Sequence, residues 1–466
     1  MVQGVYWCLN CNSPLLSRKC DKCESEGKFI ALSRAADVRP AFENDMELIK
    51  ELIINWCKSS SLSVLDLKNR IILLNRLPYL DKAYEVVFNG EVFAHIFFDL
   101  YSLKWKIKPF KSLLQLLRQF GIDYPFAILN KEQIERGDLL SGEDLKESNF
   151  NENDEYVCLC SKSHEILGLG QNINGKLLVL RVWKKSNNDV NLERRTDWKN
   201  VLEANRWQIE ILRSKACKFL SKCSTRFRRK PIISYSGGKD SLACLLLSLE
   251  AGVEAELLFV DTCLEMPETV QNVNKVIERF RLKAHVVKAN LEKFWEKFNL
   301  IGPPARDFRW CSRICKLEPT NRALTELGST LCIVGQRRAE SFKRASSPNI
   351  WKNPYVRDSI SVTPISNWKA LHIWLYVMEK KAENLMNELY FKGFDRVGCY
   401  MCPSATVADM QKVKCWHPKL WEGWENALKE WKKKQGLDDN WLKYALWRWR
   451  KRIPKGIKNF LRKTLN

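Results

Sequence analysis

The stretch that most restricts this chain is Ser234-Tyr235-Ser236-Gly237-Gly238-Lys239-Asp240-Ser241. Ahead of it, Pro231-Ile232-Ile233-Ser234-Tyr235 is a short apolar run that reads as a buried strand. Behind it, Leu242 to Leu249 contains no breaker and reads as a helix laid on that strand. Two glycines between a strand and a helix let bare backbone amides approach an anion. The helix N-terminus adds partial positive charge, Lys239 a full one, and Ser236 and Ser241 hydroxyl donors. These features describe a phosphate cradle. It is not a Walker A loop, which needs four residues between its glycines and a Gly-Lys-Ser/Thr ending.

At 466 residues the chain is too long for one core, so two to four domains are expected. It has no apolar run of 18 residues, and cysteines interrupt the N-terminus at Cys8 and Cys11; a soluble cytoplasmic protein with no membrane partner is expected. Seventeen cysteines, several in Cys-x-x-Cys pairs, favour metal over disulfides in a reducing compartment. The net charge of +23 is uneven. Residues 181–230 hold 15 Lys/Arg against 5 Asp/Glu, and residues 411–466 hold 16 against 5. Concentrated positive charge points to a polyanion, most simply nucleic acid, the alternative being a solvated basic face.

In chain order, Cys8-x2-Cys11-x8-Cys20-x2-Cys23 has the spacing of a zinc ribbon over 1–30, two thiolate knuckles completing one tetrahedron. A redox dithiol is the other reading. Residues 31–125 read as a small α+β module with a hairpin turning at Asn89-Gly90. His95 within it reads as a satisfied, partly buried side chain. Residues 126–186 alternate apolar and polar in short segments, which fits a small β-barrel. Residues 187–229 form a basic helical connector that ends in Arg226-Phe227-Arg228-Arg229-Lys230.

From 230 to 410 strands and helices alternate. Ala255–Val260 leads to Asp261-Thr262, Pro267 opens a helix, and Ala284–Lys288 makes a third strand; Leu331–Val334 runs into Gly335-Gln336-Arg337-Arg338-Ala339-Glu340-Ser341-Phe342-Lys343-Arg344. This pattern implies a parallel sheet covered on both faces, with ligands at the carboxyl ends of the strands. Arginines beyond a strand end can clamp phosphate bidentately. Residues 411–466 interleave tryptophans from Trp416 to Trp449 with Lys and Arg, which suits either base stacking on RNA or a helix with Trp inward and Lys outward.

Set in order, the Ser-Gly-Gly-Lys-Asp-Ser loop, Asp261-Thr262, Gly335-x-Arg337-x-x-Glu340-Ser341-x-x-Arg344, Pro364-Ile365-x-x-Trp368, and Asn387-x-Leu389-Tyr390 leading to Gly398-Cys399-x-x-Cys402 resemble the PAPS reductase family of the adenine nucleotide α-hydrolase (PP-loop) type. The multidomain arrangement resembles its archaeal members. Residues 126–186, with Gly137-Asp138-Leu139 and the glycines at 168, 170 and 175, resemble a PUA domain, which implies RNA binding. The expected fold is therefore an α/β, doubly wound parallel sheet preceded by a zinc ribbon, an α+β module and a PUA-like β-barrel.

The resemblance implies that Ser236, Gly237, Gly238, Lys239, Asp240 and Ser241 hold the pyrophosphate of ATP, with Gly335, Arg337, Glu340 and Ser341 also on the nucleotide. Asp240 and Asp261 would recruit Mg²⁺, and Arg337 and Arg344 would clamp phosphate. Cys311, Cys315, Cys399 and Cys402 stand where reductases of the family carry a vicinal pair and a Cys-x-x-Cys for a 4Fe-4S cluster. Here the first pair is Cys-x3-Cys, and four thiolates fit iron–sulfur or zinc. Cys415 is either a further thiol near the site or a core cysteine. The expected activity is cleavage of the α–β bond of ATP to adenylate an RNA, such as a tRNA, for sulfur transfer from a sulfur donor. The alternatives are PAPS or APS reduction with a thioredoxin-like reductant, or an RNA-binding protein with a vestigial pocket. The family's reductases use a late tail cysteine, and residues 416–466 contain none.

Overall fold

The structure is a computed structural model that describes residues 3–58, 70–131, 133–184, 195–341, 344–353 and 358–465. The start of the basic connector (187–194) and Lys343 of the arginine-rich segment lie outside these residues. The chain divides into two compact units. One comprises Met1–Tyr79, Ala83–Asp99 and Lys104–Arg206; the other comprises Leu80–Lys82, Leu100–Leu103 and Trp207–Asn466.

In the first unit, β1 (Gln3–Cys8) pairs antiparallel with β2 (Ser13–Leu15) and β3 (Lys28–Leu32). The α+β module follows as β4 (Arg39–Pro40), α1 (Glu43–Cys57), β5 (Ile72–Arg76), β6 (Ala83–Phe88), β7 (Glu91–Asp99), β8 (Lys104–Pro109) and α2 (Lys111–Gln119), its five strands a simple antiparallel meander. The expected hairpin is β6–β7, with Asn89 and Gly90 both at positive φ (47° and 75°) as a tight two-residue turn requires. His95 stands 3.6 Å from Glu85 and is partly buried, as its sequence context suggests.

A six-stranded sheet then forms from β9 (Phe126–Leu129), β10 (Leu139–Leu140), β11 (Leu145–Ser148), β12 (Tyr156–Cys160), β13 (Ile166–Ile173) and β14 (Lys176–Val182), in the order β10-β14-β13-β12-β9-β11. Its two edges are consecutive in sequence, joined only through the turn Gly142–Asp144. Six flat strands would set those edges about 24 Å apart, whereas the link from Leu140 to Leu145 reaches about 17 Å at most. The sheet must curl into a barrel. Its inside is filled by Leu129, Leu140, Val157, Leu159, Leu177 and Val179. Ile128, Cys158, Cys160 and Ile166 join the module's core with α1 and α2, so module and barrel share apolar packing. The connector is also docked: α3 (Trp198–Ala204) ends at Asn205, whose side chain accepts from Leu16 N (2.7 Å) and donates to Pro14 O (2.9 Å).

The second unit begins with most of α4 (Arg206–Phe227) and carries β15 (Lys230–Ser234), α5 (Lys239–Glu250), β16 (Glu256–Asp261), α6 (Pro267–Phe280), β17 (Ala284–Lys288) and α7 (Leu291–Ile301). A short helical turn, α8 (Trp310–Ser312), passes through a π-helical turn at Arg313–Leu317 into α9 (Glu318–Leu327). Then come β18 (Thr330–Val334), β19 (Ile350–Lys352), β20 (Ser359–Val362) and α10 (Ala370–Glu379). The sheet order is β17-β16-β15-β18-β20-β19, parallel apart from β19 at the edge. This is the mixed α/β, doubly wound parallel fold expected. β15 is central, and the order reverses there between β16 and β18. A phosphate loop at its carboxyl end therefore sits at a topological switch point. The helix behind the loop, α5, is buried from Leu242 to Ser248, with Ser248 satisfied by the Cys244 carbonyl (2.7 Å).

The chain closes with α11 (Val407–Trp416), α12 (Pro418–Gln435), α13 (Asp439–Lys443) and α14 (Lys455–Leu465). Trp424 is fully buried against Phe298, Trp295 and Trp447, and Trp431 lies on Phe298. Of the two readings of this Trp-rich stretch, the inward-packed helix holds for Trp421, Trp424 and Trp447. No helix among the described residues is long and apolar enough to cross a membrane.

Candidate functional site

The loop Ser236–Gly238 leaves β15 and becomes the N-terminus of α5, whose cap residue is Gly238 and so offers no side chain to its first turn. Gly237 is held at φ +70°, and a Cβ there would stand 2.9 Å from Thr269 Cγ2. Both the dihedral and the space exclude other residues. The Ser241 hydroxyl accepts from Ser236 N (3.2 Å) and donates to Gly238 O (2.8 Å), closing the loop on itself. One first-turn donor is already used: Lys239 N donates to the Tyr390 hydroxyl at 3.1 Å. Tyr390 comes from the segment after Asn387, whose side chain accepts from Leu389 N (3.0 Å) and donates to Thr269 Oγ1 (3.3 Å).

Beneath the loop lies a buried triad. Asp240 accepts from Lys239 Nζ at 2.9 Å and from Arg337 Nε at 2.7 Å. The side chains of Lys239 and Arg337 keep only 8% and 3% of their surface. Burial pushes the Asp240 carboxyl up, but Lys239 and Arg337 outweigh it and hold it below the usual range. Burial likewise pulls Lys239 down, and Asp240 more than restores it. With one anion and two cations, the triad carries a net positive charge under the helix N-terminus, an arrangement suited to phosphate. Gly335 makes the approach possible, since a Cβ there would lie 2.7 Å from Asp240 C and Ser241 N.

The arginine-rich segment divides by role. Arg337 enters the triad, and its N–H donates to Glu340 at 3.3 Å. Arg338 turns the other way, onto Asn367 Oδ1 (2.7 Å) and Ser347 O (3.1 Å), and ties loops together. Arg344 is half-exposed and paired with Glu340, while Ser341 is exposed at the segment's end. Asp261 lies at the same carboxyl edge as the loop and accepts from Cys263 N at 2.8 Å.

A group of thiols gathers beside this edge. The α8–π turn places Cys311 and Cys315 on one helical face, and Cys399 meets Glu265 in an isolated strand bridge with Thr262 at 3.4 Å from its sulfur. Cys311 and Cys402 lie near enough for their charges to interact, as do Cys315 and Cys311, and Cys399 and Cys402. Burial, with Cys311 and Cys263 nearby, pushes Cys315 up to about 12. Cys402 moves the other way: burial raises it, but Arg396, 3.1 Å away, with Arg309 and Lys316 brings it below the ordinary value. The loop after Cys402 is held by Arg306, which donates to Pro403 O (2.9 Å) and Ala405 O (2.8 Å). These four sulfurs do not gather as tightly as the N-terminal quartet. The donor set, four thiols edged by Lys316, Arg309 and Arg396, suits an anionic thiolate–metal centre, iron–sulfur or zinc. Cys415 is exposed on α11 and is not a core residue.

In the first unit, the sulfurs of Cys8, Cys11, Cys20 and Cys23 all lie within 4.8 Å of one another, a set that fits a ribbon metal. Burial, with neighbouring thiols, raises Cys8 to about 11. Burial also raises Cys23, but hydrogen bonds from Ser25 and the other thiols bring it to about 6. A bound cation would relieve this crowding by taking the thiols as thiolates.

Sequence reading missed Tyr390's hydroxyl as a loop partner, Cys263, and the Glu265–Lys316 neighbourhood. Glu265 is raised by burial, and Lys316 is raised by Cys399 and Glu265 against its own burial. Cys263 was legible in one respect: it follows Asp261-Thr262 directly at a strand end.

A family model described as the phosphoadenosine phosphosulfate reductase domain matches residues 230–405. Among relatives, an uncharacterized protein of Methanocaldococcus jannaschii is 35% identical over 469 residues, covering 95% of this chain and 96% of its own length. The adenosine 5'-phosphosulfate reductase of Staphylococcus epidermidis is 30% identical over 179 residues, covering 37% of this chain and 70% of the enzyme. Among solved structures, phosphoadenylyl-sulfate reductase from Candida auris, in a phosphate complex, aligns with a TM-score of 0.34 and 22% identity, over 42% of this chain and 97% of that one.

Proposed function

Since the chain belongs to the PAPS reductase family, we propose that it is an ATP-consuming enzyme that cleaves the α–β bond and adenylates an RNA for sulfur transfer. The observation that carries this is the complete loop: bare glycine amides at an uncapped helix N-terminus, over a buried triad with net positive charge. Such a surface is matched to a leaving pyrophosphate, on which negative charge grows as the bond breaks. A carbonyl-type oxygen of the RNA base attacks the α-phosphorus. The bond to the oxygen bridging to the β-phosphate breaks, and pyrophosphate departs onto Ser236–Ser241. A sulfur nucleophile supplied by a donor then attacks the adenylated carbon, and AMP leaves with the original oxygen.

In this reading Lys239 and the loop amides bind pyrophosphate, while Asp240 positions Lys239 and Arg337. Both Asp240 oxygens are engaged by cations, so Asp261 is the carboxylate better placed to recruit Mg²⁺. Arg344 would reach phosphate only by leaving Glu340. Cys8, Cys11, Cys20 and Cys23 would hold structural zinc. Cys311, Cys315, Cys399 and Cys402 would hold a 4Fe-4S cluster, which supplies redox and sulfur-binding chemistry when bound. The barrel over 126–186 would act as a PUA-like RNA-binding domain, in a cytoplasmic protein.

The thiol group beside the nucleotide edge supports a second reading, reduction of APS or PAPS. A cysteine thiolate would attack the sulfate sulfur, release AMP or its 3'-phosphate, and yield sulfite when a thioredoxin-like dithiol attacks the resulting thiosulfonate. Anaerobic assays separate the two. Release of AMP and pyrophosphate from ATP, stimulated by RNA and without sulfite from APS or PAPS, supports adenylation. Sulfite formation with a dithiol reductant, and no RNA-stimulated cleavage of ATP, overturns it.

A further inference from the structure

A second polar site lies far along the chain from the phosphate loop, in the first unit. There the end of β8, the segment before β10 and the end of β14 enclose a cavity of about 660 Å³. Lys108, Arg136 and Arg181 line it, and among the described residues Glu135 is the one acid on its rim. None of these three cations has an ion-pair partner among the described residues. Burial, with Arg181 and Arg136 close by, holds Lys108 below its ordinary value, and burial with Arg136 does the same to Arg181. Arg136 and Arg181 are exposed on this wall and Lys108 is half-buried; Glu155 and Glu85 offset their mutual repulsion in part, and a bound anion would offset more of it.

A second cavity, of about 460 Å³, is lined by Phe110, Lys111, Trp183 and Lys184, with Glu91 on its wall paired to Lys28. Trp183 lines both, and Arg181 stacks on Phe110 at 4.2 Å, so the two hollows share one aromatic wall. Each is of a size that takes a nucleotide-sized ligand. A Trp between two hollows gives a base a face to stack on, and the cations beside it suit the phosphate between two bases. A carboxylate peptide would use the cations and leave the paired hollows and the Trp unexplained.

We propose that this double hollow is a track for single-stranded RNA, with adjacent nucleotides on either side of Trp183 and their linking phosphate held by Lys108, Arg136 and Arg181. The inference deepens the RNA-acceptor reading and rests on it.

The test uses the full chain and a fluorescein-labelled, mixed-sequence single-stranded RNA octamer, with anisotropy read at 50, 100 and 200 mM salt. Arg136→Glu and Arg181→Glu should each weaken binding about tenfold and reduce the log–log salt slope by about 0.7. Trp183→Ala should weaken it about fivefold or more. Arg181→Lys should stay within about threefold, since a cation remains. Lys176→Glu, an equal charge change on an exposed residue lining neither hollow, should change little. Melting temperatures check that every variant folds. Equal losses from Lys176→Glu, or equal competition by poly-glutamate, would overturn the track. So would unchanged binding in the Arg136 and Arg181 reversals, and in that case the RNA-acceptor reading survives. A wild-type chain that binds no RNA removes both.

Discussion

Asp240→Asn is the sharpest perturbation of the site, because it alters one charge and almost no volume. In the native chain the Asp240 carboxylate lies between Lys239 Nζ (2.9 Å) and Arg337 Nε (2.7 Å), and both cations are almost wholly buried. An asparagine oxygen can still accept one of those hydrogen bonds. It cannot neutralise either cation, so Lys239 loses its buried counter-charge and Arg337 loses one of its partners. Removing one partner of a buried pair costs about 3–5 kcal/mol. In a unit of this size each kcal/mol lowers the melting temperature by about 2–4 °C, so a fall of roughly 10 °C is expected without ligand. Pyrophosphate or ATP should then stabilise the variant more than the native chain, since its negative charge replaces the one removed. Differential scanning fluorimetry with and without pyrophosphate reads both effects. An unchanged melting temperature in the ligand-free variant would refute the view that the triad holds the loop.

Gly335→Ala should lower melting temperature and ATP affinity together, because its Cβ would press within 2.7 Å of loop backbone that cannot rotate away; ATP titration at wild-type affinity would contradict this. Burial raises Glu256, but His285, Lys230 and Lys283 outweigh it and hold it at about 2, below its unfolded value. Its stabilising contribution is therefore present above about pH 4.5 and lost as pH falls toward 2. Melting curves at pH 5 and pH 3 should show a smaller drop in Glu256→Gln than in the native chain. Cys20→Ser should abolish metal binding at the ribbon and lower the stability of the first unit, as metal analysis and melting curves would show; full metal occupancy in that variant would contradict the quartet.

Much of the nucleotide edge was legible because its chemistry is local. Six contiguous residues from Ser236 to Ser241 encode the loop, and the apolar runs on either side encode the strand and helix that aim it. The parallel sheet was legible for the same reason, since each strand is followed at once by its helix. What sequence could not show were partners brought together by the fold. Tyr390 reaches the loop from some 150 positions away. Nothing local separates Arg337, which enters the triad, from Arg338, which ties loops together, because adjacent residues leave a strand end in opposite directions. The tryptophans of the last helices were ambiguous for a similar reason. Helical spacing places them on one face, and only the presence of α7 with Trp295 and Phe298 decides that this face is covered.

The central claim is that the Ser236–Ser241 loop binds the phosphates of ATP. Calorimetric titration of the full chain with an ATP analogue carrying a methylene between the α and β phosphates tests it without turnover. Lys239→Ala removes a charge-assisted phosphate contact worth about 1.5–3 kcal/mol, so the analogue should bind that variant roughly 10- to 150-fold more weakly than the native chain. Equal affinity in the two proteins would contradict the account.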